Sequence, residues 1–254
     1  MAVRNRKLGY DTEAVWQARV ELAAAYRFAV RLGFDEGIDN HFSLLLPGRD
    51  DLMLLNPYPL HWSEITASNL LIVDHDGNRV AGSHEVEPTA FHIHAPLHRA
   101  NPETFRCLLH THMPYATAVA CQESGRLEIV HQSSTKFVDQ VAYLDTYNGL
   151  VLDADGGEYI AAAMGNKPVL FMANHGVITA GRTVAEAFDR LYFLERACRV
   201  QILASSGGNK RKPISPQISR RLVEQRSTAE THAADDLFAA FKRILDREEA
   251  DYKN

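Results

Sequence analysis

Residues 105–112 read Phe-Arg-Cys-Leu-Leu-His-Thr-His, and Pro114 follows two positions later. The apolar run Cys107-Leu108-Leu109 is too short for a helix and fits a strand buried inside a sheet. Successive side chains of a strand alternate, so His110 and His112 project from the same face. Pro114 suits a first helical turn and opens a helix over PYATAVACQ. Upstream, the pattern predicts a helix from Thr89 to Ala100, closed by Asn101-Pro102. Between Phe42 and Val80 the short extended runs FSLLL, DLMLLN and NLLIVDHDG are divided by Pro-Gly, Asn-Pro and Asp-Gly breakers. VDHDGNRV reads as a hairpin about Asp76-Gly77.

Further out the texture is helical. Apolar residues recur at helical spacing from about Asp11 to Leu32, and Gly33 is a candidate C-cap. Lys167 to Gly176 reads as one more strand. Thr183 then caps a long helix over Val184–Ser205. Residues 205–217, SSGGNKRKPISPQ, read as a flexible linker, and a last amphipathic helix covers about Asp235 to Glu249. Its KRK reads as part of a solvated linker rather than a site for an acidic partner. Strands and helices interleave without a regular βαβ rhythm, which predicts a mixed α/β domain with a partly antiparallel sheet. The 254 residues fit one domain, with 218–254 as a C-terminal helical extension.

Composition narrows the class of function. Hydrophobic residues make up 46% and charged residues 23%, a globular balance. The formal net charge of −5 argues against a dedicated nucleic-acid binder. The N-terminal stretch lacks the apolar core of a signal peptide, and no run is long enough to span a membrane. The three cysteines, Cys107, Cys121 and Cys198, form neither a CxxC pair nor a disulfide framework. A cytoplasmic protein is the expectation.

Histidine is the outlier, with 12 copies, seven of them in the middle stretch: His92, His94, His98, His110, His112, His131 and His175. Imidazole is the commonest metal ligand. If the strand ending at His175 lies near the one ending at His112, three neutral imidazoles converge, the format of a catalytic metal site with one open position. Spacing alone leaves a second reading open, in which these are partly exposed strand-end and turn residues. His94 and His98 lie four apart and share a helix face, where a role near substrate competes with a plain surface role. His92 points away from that face.

The motifs taken together resemble the class II aldolase/adducin-head family, and more closely its adducin-like bacterial branch. The resemblance runs from about Arg19 to Ser205. It rests on Gly37-Ile38-Asp39-Asn40-His41-Phe42-Ser43, Leu55-Asn56-Pro57, Glu64 to Leu70, Val73-Asp74-His75-Asp76-Gly77, Ile93 to Ala100, Leu109-His110-Thr111-His112 and Asn174-His175-Gly176. It implies a three-layer α/β/α domain around a central, mostly antiparallel mixed sheet, usually assembled as a homotetramer. It also implies one divalent metal ion held by His110, His112 and His175. Zinc is the first choice because a three-His site with an open position suits it; manganese and ferrous iron also accept imidazole.

Departures from the family pattern bear on the reaction. Phosphosugar aldolases of the family carry an acid/base Glu four residues before the position of His94, where this chain has Ala90; Glu87 stands three residues earlier. Their phosphate-binding Gly-Asn pair, Thr-Gly turn and Ser pair correspond to Asn40-His41, Tyr58-Pro59 and Pro88-Thr89. Tyr and Pro remove a backbone-donor turn that a phosphate needs. The acid tyrosine from a neighbouring subunit has no clear match, with His131 or Gln132 nearest to it. The resemblance therefore implies a metal-dependent C–C lyase, an aldolase or decarboxylase, working through a metal-stabilised enolate. The substrate would be a small non-phosphorylated hydroxy or oxo acid, or a hydroxyaromatic acid. His94, His98 and Glu87 are the candidate catalytic groups, and Asn40, His41 and His131 the candidate substrate-binding ones. The alternative is a non-catalytic, adducin-head-like oligomerisation domain. A third reading is a ferrous oxygenase on the same fold.

Overall fold

Helix α1, Glu13–Leu32, starts at Thr12, whose side chain accepts from Val15 N, and stops at Gly33. Gly33 takes φ 68°, a left-handed conformation that glycine adopts without a Cβ clash. This first helix belongs to a computed structural model that describes residues 10, 12–208, 210–229 and 232–254. Strands β1 (His41–Leu45), β2 (Leu52–Leu55), β3 (Leu71–Asp74) and β4 (Arg79–Ala81) follow. Helix α2 (Pro88–Ala100), strand β5 (Cys107–Thr111) and helix α3 (Pro114–Ala120) come next. Strand β6 (Val141–Leu144), helix α4 (Ala154–Met164), and strands β7 (Val169–Met172) and β8 (Gly176–Gly181) complete the sheet. Helices α5 (Val184–Ser205), α6 (Pro216–Ala229) and α7 (Ala233–Glu248) close the chain.

The eight strands form one sheet in the order β4-β3-β2-β1-β5-β8-β7-β6. All neighbours are antiparallel except β6 and β7. Strand parity sorts the side chains between two helical layers. Phe42, Leu109, Phe171 and Val177 pack into the core shared with α1, α3, α5 and α7. Leu108, Leu170 and Ile178 pack with Ile93 and Leu97 of α2 and Ile160 and Met164 of α4. This is a three-layer α/β/α arrangement with a mostly antiparallel sheet.

The predicted strand over 167–176 is two elements. β7 ends at Met172, the chain turns through 173–175, and Gly176 opens β8 rather than closing a strand. Asn174 takes φ 55°, and His175 N donates to Met172 O at 3.2 Å. His175 thus sits on a turn between paired strands. Within 205–217, α5 runs to Ser205, α6 begins at Pro216, Ile214 N bonds Ile129 O at 2.7 Å, and Arg211 pairs with Glu128. The C-terminal residues pack on α1: Tyr252 is fully buried and Arg27 pairs with Asp251 at 2.7 Å.

Candidate metal centre

Strands β1, β5 and β8 are consecutive in the sheet, and their register assembles the site. His41 faces His110 across β1 and β5. Thr111 faces Val177 across β5 and β8, so His112 and His175 stand at the same sheet end. The ligand-type atoms of His110, His112 and His175 lie within 4.8 Å of one another. The strands come this close because residue 176 is glycine. A Cβ there would stand 2.5 Å from Thr111 O and 2.7 Å from His112 Cδ2.

Two of the three rings are held in defined tautomers. His110 Nδ1 donates to Val177 O at 3.0 Å, and His112 Nδ1 donates to the Glu36 carboxylate. Each neutral ring therefore carries its lone pair on Nε2, the arrangement typical of metal-binding histidines whose other nitrogen donates to a carbonyl or carboxylate. His112 Nε2 is buried and has no hydrogen-bond partner. An unmet buried polar atom costs about 1–3 kcal/mol, and a cation shared by the three rings removes that cost. Burial, then the neighbouring imidazoles, pushes His110 well below its ordinary value, and the same causes take His175 to about 4. His110 and His175 are therefore neutral at pH 7, the protonation state that ligation requires. The residues present fit a divalent ion.

The trio opens into a cavity of about 530 Å³. Its wall also carries Glu36, Asp39, Asn40, His41, Glu87 and Tyr147, and no Lys or Arg among the described residues. Asn40, at φ 70°, accepts from His112 N at 2.9 Å through Oδ1, while its buried Nδ2 has no partner. Glu87 is the N-cap of α2, where Oε2 accepts from Ala90 N at 2.7 Å and from the Thr89 hydroxyl.

His94 and His98 are not on this wall. Both are completely buried on α2, underneath the sheet face that carries His41 and Ser43. Their shared helix face points into the protein, against β1. His131 lies elsewhere, capping a short 3-10 turn over Gln132–Phe137. Sequence reasoning missed Glu36 and Ser43. Ser43 carries a signal in hindsight, since it follows His41 at strand spacing and so shares its face.

Residues 20–202 match the family described as Class II Aldolase and Adducin N-terminal domain. The chain belongs to this class II aldolase and adducin family. Within the family, an aldolase II superfamily protein from Pseudomonas syringae has a crystal structure that matches with a TM-score of 0.89 and 34% identity, covering 97% of this chain and 98% of that one. Decarboxylase NovR of Streptomyces niveus is 32% identical over 215 residues, 83% of this chain and 78% of that protein. A 4-hydroxy-3-prenylphenylpyruvate oxygenase/4-hydroxy-3-prenylbenzoate synthase of Streptomyces roseochromogenus subsp. oscitans is 32% identical over 220 residues, 85% and 78% of the two chains. Against the aldolase pattern of this family, Ala90 is a buried residue of the first turn of α2, and the only carboxylate of that turn on the cavity wall is its cap, Glu87.

Proposed function

We propose that this protein is a divalent-metal-dependent carbon–carbon lyase, of aldolase or decarboxylase type, for a small non-phosphorylated hydroxy or oxo acid or a hydroxyaromatic acid. The observation that carries the reading is the converging trio His110, His112 and His175, with two tautomers already set for ligation and an unpartnered Nε2 on His112. When bound, the ion supplies Lewis acidity that lowers the cost of negative charge on an oxygen beside the breaking bond. Zinc suits three imidazoles and an open position, with manganese and ferrous iron as alternatives.

The chain's own groups set the rest of the chemistry. A wall with three carboxylates and no described Lys or Arg is poorly matched to a phosphate dianion. Glu36 is committed to His112, which leaves Glu87 and Asp39 to hold or move a proton. Glu87 keeps its position because the first turn of α2 is built on it. The decarboxylase among the relatives supports C–C cleavage, and the prenylated hydroxyaromatic named in the other relative supports an aromatic acid as one substrate class.

Metal analysis of protein purified without chelators tests the reading. Close to one equivalent of a divalent transition metal is expected, lost in His110→Ala and kept in His232→Ala. Protein that neither carries nor takes up zinc, manganese or iron would instead fit an oligomerisation domain. A screen of hydroxyaromatic and sugar acids that reads CO2 against aldehyde release then separates decarboxylation from aldol cleavage.

A further inference from the structure

Behind the cavity wall lies a buried chain of hydrogen bonds. His98 Nδ1 is 2.6 Å from Phe105 O, and His98 Nε2 is 2.7 Å from Ser43 Oγ. Ser43 Oγ also bonds His94 Nδ1, and His94 Nε2 is 2.7 Å from His41 Nδ1. Ser43, His94 and His98 are fully buried, and His41 is 3% exposed. Burial without a charge partner keeps these rings neutral.

With neutral rings, only one arrangement of protons satisfies the chain. The Phe105 carbonyl can only accept, so His98 Nδ1 carries the proton and His98 Nε2 a lone pair. The Ser43 hydroxyl must then donate to His98, and its oxygen must accept from His94 Nδ1–H. His94 Nε2 is thereby an acceptor, and His41 Nδ1–H donates to it. His41 is left with a lone pair on Nε2, which has no hydrogen-bond partner among the described residues, and His41 is one of the residues lining the cavity. His41 stands beside His110, with ring centroids 4.8 Å apart, but outside the trio of mutually close ligand atoms.

We propose that this relay, anchored on Phe105 O, makes His41 Nε2 a fixed hydrogen-bond acceptor that selects ligands presenting a hydroxyl beside the metal position. Ser43, His94 and His98 are positioning residues, and His41 touches the ligand. The adjacent Asn40 Nδ2, buried and unpartnered on the same wall, offers the complementary donor. Together they favour a hydroxy acid over its ether or purely oxo counterpart. The inference rests on the metal-dependent reading for the ligand's placement, whereas the relay's proton order does not depend on a metal.

Two measurements test it. In metal-free wild-type protein, 15N–1H correlation of labelled histidines should show His41, His94 and His98 all protonated at Nδ1; a proton on His41 Nε2 overturns the inference. In cobalt-loaded protein, the visible spectrum reads binding of glycolate and of methoxyacetate, which differ in the hydroxyl proton. The preference for glycolate should be about tenfold greater in wild type than in His41→Phe, the scale of one unmet buried acceptor. Ser43→Ala should lose much of that preference while retaining cobalt, and Ser43→Thr, which keeps a hydroxyl, should recover it. The same preference in wild type and His41→Phe, including no response to either probe, overturns the inference and leaves the metal site standing. Loss of cobalt in His41→Phe would make His41 a ligand and also overturn it. Failure of wild type to bind cobalt counts against the proposed function, and the tautomer result still decides the relay.

Discussion

At the scale of single residues, the informative partners are those that hold the imidazoles rather than the imidazoles themselves. Glu36 lies 76 positions before His112 in sequence, yet its carboxylate takes the His112 Nδ1 proton bond and directs Nε2 inward. Such outer partners usually change metal affinity by about 10–100-fold. If the trio holds a metal as proposed, Glu36→Ala is expected to weaken divalent-metal binding by that range in a chelator competition, with the fold retained because Glu36 is exposed. Unchanged affinity would mean that the carboxylate is incidental. The two-residue parity of His110 and His112 was legible in the sequence because a strand fixes it. The Glu36 contact was not, since it depends on where the loop before β1 passes the end of β5. His94 and His98 show the limit of spacing as a guide. Their four-residue spacing correctly puts them on one helix face, but spacing does not say whether that face meets a cavity or the underside of a sheet.

At the scale of elements, α1, α2, α3, α5 and α7 were readable because each has apolar periodicity, a proline boundary as at Pro114, or an explicit cap as at Thr183, which accepts from Glu186 N. Helix α4 was not read, since Asp155-Gly156-Gly157 looks like a turn. Gly157 is required by packing instead: a Cβ there would stand 2.0 Å from His92 O and 2.8 Å from Pro96 Cγ. The two helices cross at van der Waals distance, and α2 carries His94 and His98 of the buried relay. Gly157→Ala must push α4 off α2, at a cost of about 1–3 kcal/mol from overpacking, despite alanine's better helix propensity. The measurement is the urea midpoint of the variant against wild type. A midpoint raised by the helix-propensity gain alone would show that the α2–α4 crossing has room for a methyl group. The β7–β8 turn was missed for a related reason, because Asn174-His175-Gly176 closes one strand as plausibly as it joins two.

At the scale of the whole molecule, the sheet order brings together histidines that lie far apart in sequence, and burial then makes them a pH-dependent load on stability. No strand-by-strand reading yields this, because it depends on β1, β5 and β8 being neighbours and on α2 lying over them. His98 shows the sign most simply, since it is not part of the His110–His112–His175 trio. Burial lowers it from the ordinary 6.5 to about 3, against a smaller opposing effect of the Phe105 carbonyl. Between those values the unfolded chain binds a proton that the folded chain does not, so stability rises with pH in that window. The stabilisation from keeping His98 neutral is complete above pH 6.5 and falls away as pH drops towards 3. At pH 5 the loss from His98 alone is about 2 kcal/mol. His41, lowered to about 3 mainly by burial, acts in the same direction. Metal-free protein is therefore expected to unfold at clearly lower urea concentration at pH 5 than at pH 7.5, and His98→Asn, which keeps a donor for Phe105 O but does not titrate, should show a shallower dependence. Equal midpoints at the two pH values would mean that the buried imidazoles take up protons in the folded state, which the closed hydrogen-bond chain from Phe105 O to His41 does not allow.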